Sequence, residues 1–90
     1  MVMRSGEIEG GTISRMGVIN NLQNADFELR DGQPFFIKND GYKDVELQVR
    51  LIGMAVGEFI NTTFAVGWNR EVVKEVRQTP LSYLNLKWGY

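Results

Sequence analysis

Between Asp44 and Met54 the chain alternates apolar and polar positions: Val45, Leu47, Val49 and Leu51 fall on one side, and Glu46, Gln48 and Arg50 on the other. Ile52 is the one apolar residue out of step. Successive side chains of a strand point to opposite faces, so this pattern describes a strand with one buried and one wet face. Asp40-Gly41 before it and Gly57 after it supply turn chemistry. The pattern places the protein in the antiparallel β class.

The flanking segments extend that reading. Residues 1–11 are polar and glycine-rich, with Ile8 as the one anchor, and read as a flexible arm or edge strand ahead of a single β domain over 12–90. Residues 12–20 are β-prone, with Met16 and Val18 on a shared face and Gly17 marking a bulge or a close backbone approach. Phe27 and Leu29 alternate with Glu28 and Arg30, and Asp31-Gly32 then signals a hairpin into a strand over 33–38. Phe35 and Ile37 point inward there, and Pro34 suits an irregular start or a sheet edge. Residues 54–57 read as a reversal into a strand over 58–64. Strands joined by such short turns usually pair, which predicts an antiparallel meander through the middle of the chain.

After Gly67 the period changes. Asn69 reads as an N-cap, Glu71 suits a first helical turn, and Val72, Val73 and Val76 recur at helical spacing before Thr79-Pro80. This predicts a helix over 70–78. Alternation then resumes toward Tyr90, with Leu84, Leu86 and Trp88 against Tyr83, Asn85 and Lys87. The expected architecture is mainly β, an antiparallel β-sandwich or barrel with one short α-helix near residues 70–78.

Composition narrows the function by exclusion. With 90 residues there is one small core, and with no cysteine neither a disulfide nor a thiolate metal site supplements it. Small domains without such staples often gain stability by oligomerising. The net charge is −1 and the basic residues are scattered, so the stripe that phosphate contacts demand is missing and nucleic acid is not an expected partner. The first residues lack the apolar run of a secretory signal, and no stretch approaches a membrane helix, so a soluble chain is expected, and the lack of cysteine fits either a reducing compartment such as the cytoplasm or a particle that survives outside a cell.

Histidine is absent, which removes the commonest general base and metal ligand. The acidic residues sit at turns, on wet strand faces or in the expected helix, which leaves no catalytic pair. Asn39, Asp40 and Asp44 lack the ligand spacing of a calcium loop and read as turn residues. The glycines show no phosphate-cradling spacing. The expectation is a protein without cofactor, metal or catalytic residue.

The aromatics carry what remains. Trp68 reads chiefly as a core residue, stapled onto Val72 or Val73. For Trp88 and Tyr90 two readings stand: burial in the protein's own sheet, or exposure for a partner, since Trp and Tyr are enriched at interfaces. Ile52 and Phe36, apolar on nominally wet faces, lean toward the second. Trp88, Tyr90, Ile52, Phe36 and Trp68 are therefore the candidate partner-binding residues.

The stretch KNDGYKDVELQVRLIGMAVGEFINTTFAVGWNREVVKEV resembles small β-sandwich structural proteins of tailed phages and prophages. Such proteins run from a Gly-Met turn to a Gly-Glu-Phe strand and a Gly-Trp-Asn helix start. The resemblance covers about half the chain and has no diagnostic motif. It implies a non-enzymatic assembly subunit of a virion (head, neck, tail or decoration), expected as a homo-oligomer held by protein–protein contacts. The competing expectation is a small ligand-binding β-sandwich, such as a carbohydrate binder that stacks sugars on Trp68 and Trp88.

Overall fold

Alternation of β-branched and aromatic residues resolves into seven strands in the computed structural model, which describes residues 13–81 and 84–90. The expected arm over 1–11 and Tyr83 lie outside the described residues. The strands are β1 (Met16–Ile19), β2 (Phe36–Asn39), β3 (Val45–Leu51), β4 (Ile60–Phe64), β5 (Gly67–Trp68), β6 (Val73–Val76) and β7 (Leu86–Gly89). They form a four-stranded sheet in the order β1-β7-β2-β5 and a three-stranded sheet in the order β4-β3-β6, with antiparallel pairing throughout. The expected sandwich is present, and the sheets do not close into a barrel.

Burial follows the alternation of β3. Val45, Leu47 and Val49 are buried while Glu46 and Gln48 are exposed. Facing them from the other sheet are Ile37 of β2, Leu86 of β7 and Ile19 of β1, and Phe35, Phe64, Val73 and Val76 complete the core. Each such side chain contributes about 1.5–3 kcal/mol by leaving water. Phe27 meets Phe35 edge to face, with ring centroids 5.6 Å apart at 87°. Asn39 is the one polar residue of this core, and its amide is fully used: it donates to the carbonyls of Lys43 and Phe64 and accepts from the Gly41 N–H.

The expected helix over 70–78 is instead loop and strand β6. Between β3 and β6 the register runs Val49 to Val76, Arg50 to Glu75 and Leu51 to Val73, so Lys74 is an extra residue on β6. Such a bulge turns two residues three apart toward the same side. Val73 and Val76 are both buried for that reason, and their spacing imitates one face of a helix. Valine, stiff at χ1, favours the extended backbone. Asn69 is no N-cap either: its side chain accepts from the Ala65 N–H and donates to the Ala65 and Gly67 carbonyls. The segment nearest to a helix among the described residues is the short 3-10 turn over Arg30–Gly32, and Asp31 within it has a non-helical backbone.

At that turn the local expectation holds and the pairing does not. Asp31 and Gly32 both adopt positive φ (59° and 68°), and Gln33 N–H donates to Arg30 O, as a tight hairpin turn requires. The flanks do not pair with each other. Both line the edge of β6, Phe27 opposite Val76 and Phe35 opposite Val73. The turn is thus a loop bulging from an interrupted edge strand, and Lys74 Nζ holds it by donating to Gly32 O at 2.6 Å. From Phe35 the chain passes directly into β2 of the other sheet. β2 and β3 therefore lie in different sheets, and the expected meander survives as the β3–β4 hairpin. The expected strand over 44–54 ends at Leu51, with Ile52 in the turn that follows.

Candidate functional site

The two sheets present different outer faces. On the three-stranded sheet, Glu46 and Gln48 of β3 stand beside Thr63 and Asn61 of β4, and Arg50 pairs with Glu75 at 3.2 Å. Arg77 donates to Gln48 Oε1 on the same face and covers the Phe59 ring, its guanidinium carbon 5.0 Å from the ring centroid. On the four-stranded sheet the register sets two rows across the strands: Val18, Lys87, Lys38 and Trp68 in one, and Met16, Gly89 and Phe36 in the next. Side chains opposite each other on a ladder share a face. Ile37, Asn39 and Leu86 occupy the buried side, so these rows lie outside. Met16 is 45% exposed and Val18 57% exposed.

Trp68 crosses this face. A Cβ placed on Gly89 would lie 2.6 Å from Trp68 Cη2 and 2.8 Å from Ile13 Cγ2, so the indole lies directly over the glycine backbone. Glycine in a strand often marks such an approach. Phe36 is the ladder partner of Gly89 on the same face. The expected staple of Trp68 onto Val72 or Val73 is replaced by this packing across β7.

The charged side chains of the row that Val18 and Trp68 share are Lys87 and Lys38. Lys38 and Lys87 are direct ladder partners, an arrangement that repels unless bridged. Asp40 bridges them, with Oδ1 3.3 Å from Lys38 Nζ and Oδ2 on Lys87 Nζ. The hydrogen bond from Lys87, with a second from Lys38, holds the Asp40 carboxyl below its ordinary range, against the opposing pull of burial.

Trp88 and Tyr90 lie on the opposite side of the same sheet. Their rings stack at 5.7 Å and 14° and pack against the edge of the core. A Cβ on Gly17 would lie 2.5 Å from Trp88 Cζ2, which makes Gly17 a close backbone approach rather than a bulge. Arg15 and Tyr90 extend the β1–β7 ladder by exchanging two backbone hydrogen bonds of 3.0 Å.

Of the five candidate residues, the structure brings Phe36 and Trp68 together on the outer face and Trp88 and Tyr90 together on the inner one. Ile52, 57% exposed, stands apart in the turn after β3, its N–H bonded to Val72 O. Trp68 and Trp88 face opposite sides of one sheet and share no stacking platform. The sequence pattern missed the Lys38–Asp40–Lys87 bridge and the place of Met16 and Val18 beside Phe36 and Trp68. The shared face of Met16 and Val18 was the available signal.

Among the described residues no three His, Cys, Asp or Glu side chains gather as a metal site, and no helix is long and apolar enough to cross a membrane. Comparison with family models, with curated proteins and with solved structures finds no match for the chain.

Proposed function

We propose that this protein is a non-enzymatic assembly module that works by protein–protein contact through the outer face of its four-stranded sheet, with a second copy of itself as partner. One observation carries the proposal. Met16 and Val18 remain exposed on the face that also carries Phe36 and Trp68, while Glu46, Gln48, Thr63 and Asn61 line the corresponding face of the other sheet and its one ring, Phe59, is covered by Arg77. Aromatic residues and methionine are enriched, and charges depleted, at the centres of such contacts. Asp40 bridges Lys38 and Lys87 and offsets one of their two positive charges, which lowers the cost of covering them. The more specific reading, a subunit of a phage-type particle, is supported by the sequence resemblance of the central stretch.

Sedimentation velocity from micromolar to near-millimolar protein tests the proposal. The expected result is a concentration-dependent dimer or larger species that dissociates on Val18→Lys, with the thermal midpoint of the variant equal to that of the wild type at concentrations where both are monomeric. A protein that stays monomeric across that range overturns self-association through this face.

A further inference from the structure

Beneath the loop that carries the 3-10 turn, on the inner side of the four-stranded sheet, lies a hollow of about 340 Å³ lined by Arg15, Leu29, Arg30, Gln33, Trp88 and Tyr90. That volume suits a small organic molecule. Its walls divide by chemistry. Trp88 and Tyr90 form a stacked aromatic wall, and Leu29 adds apolar surface. Arg15 and Arg30 are the charged residues of the lining, both exposed, and among the described residues neither has an ion pair or a side-chain hydrogen bond. This sets them apart from Arg50, Lys38 and Lys87, which are committed to carboxylates. Gln33 spends its Nε2 on the Pro34 carbonyl at 3.0 Å, which fixes the amide.

The hollow is held open by the fold. Arg15 is tied to Tyr90 through the ladder, and the loop bearing Arg30 and Gln33 is tied to β6 by Lys74. Guanidinium groups favour carboxylate and phosphate oxygens because their planar donors match the spacing of those acceptors. An aromatic wall favours a flat ring or the apolar face of a sugar ring. We infer that this cleft binds a small ring compound bearing one oxyanion, the oxyanion between Arg15 and Arg30 and the ring against Trp88 and Tyr90. This inference stands apart from the proposed assembly role, because it uses the opposite side of the sheet.

The two indole N–H signals of the ¹⁵N-labelled protein, assigned with Trp68→Phe, provide the readout. Titrations use phenyl phosphate, benzoate and glucuronate, with inorganic phosphate as the charge alone and benzyl alcohol as the ring alone. Running them on Val18→Lys separates binding from any change in association. The expected result is a saturable shift of the Trp88 signal and the Arg15 amide with at least one ring anion, while the Trp68 signal stays still. Which of the three saturates distinguishes aromatic from sugar ring and phosphate from carboxylate. Charge alone and ring alone are expected to bind about tenfold more weakly, and Arg15→Gln or Arg30→Gln to weaken the ring anion about tenfold with the thermal midpoint retained. No saturable shift with any ring anion overturns the inference, as does a shift that survives both arginine substitutions.

Discussion

Gly17→Ala probes the packing that holds β1 to the centre of the four-stranded sheet. The added methyl would sit 2.5 Å from Trp88 Cζ2, 2.6 Å from Cε2 and 2.7 Å from Nε1, about an ångström inside ordinary contact, so the indole has to move. Its path is restricted, because the ring is stacked on Tyr90 at 5.7 Å. Overpacking of this kind costs about 1–3 kcal/mol. Alanine also restricts the unfolded chain, which returns about 0.4–1 kcal/mol. The net loss is about 0–2.6 kcal/mol, centred near ~1.3 kcal/mol, which at the centre is roughly 5–10 °C in the thermal midpoint of a domain this size. Calorimetry on Gly17→Ala, Trp88→Leu and the double variant measures it. With the indole gone, Gly17→Ala is expected to cost nothing or to stabilise slightly, a coupling of about 1 kcal/mol or more. Gly53→Ala is the control, since nothing lies within 4 Å of a Cβ there. A Gly17→Ala protein as stable as the wild type, or an equal loss with and without Trp88, would refute the reasoning.

Asn39→Leu strips the buried Phe64 carbonyl of its donor and leaves the Lys43 carbonyl and Gly41 N–H without their partner, at a cost of about 2–4 kcal/mol that urea unfolding should register. Asp40→Asn removes the anion between Lys38 and Lys87 and should destabilise the fold at neutral pH. Because the folded pKa of Asp40 is lowered, its contribution is present above the unfolded value of about 3.9 and is lost as pH falls through the folded value. The stability difference between wild type and Asp40→Asn should therefore narrow in acid, and a difference that is flat with pH would contradict the bridge.

What the sequence made legible depended on how local each feature is. The face of β3 was plain because Val45, Leu47 and Val49 alternate with charged and polar neighbours within one strand. The turn at Asp31-Gly32 was equally plain, because a left-handed backbone is a property of the residues themselves. Its partner was not, since the edge of β6, distant in sequence, competes for Phe27 and Phe35 and wins. Strand β6 has the sequence spacing of a helix for a definite reason: one extra residue, Lys74, places Val73 and Val76 three apart on a common side, and spacing alone cannot separate a bulged strand from a helical turn. The composition of the stretch, with three valines, carried the contrary signal.

The candidate site shows the same division. Phe36 and Trp68 stood out as large apolar residues, but their meeting with Met16 and Val18 arises from β7 inserting between β1 and β2, a pairing no local pattern encodes. Gly17 and Gly89 each leave room for an indole from a different strand, one on each side of the sheet. Only the first was marked by its setting, a lone glycine inside a β-prone run. Ile52 drew notice as an exception within a strand, and the exception dissolves because the strand ends one residue earlier.

Solvent accessibility of the Met16 methyl, followed by NMR with a soluble paramagnetic agent at increasing protein concentration, tests the proposed face most directly. Association through the four-stranded sheet should shield that methyl as concentration rises, with Val18 and Phe36 shielded in parallel and Gln48 and Asn61 on the opposite sheet unchanged. A Met16 methyl equally open at every concentration, or shielding that appears at Gln48 and Asn61 instead, would contradict it.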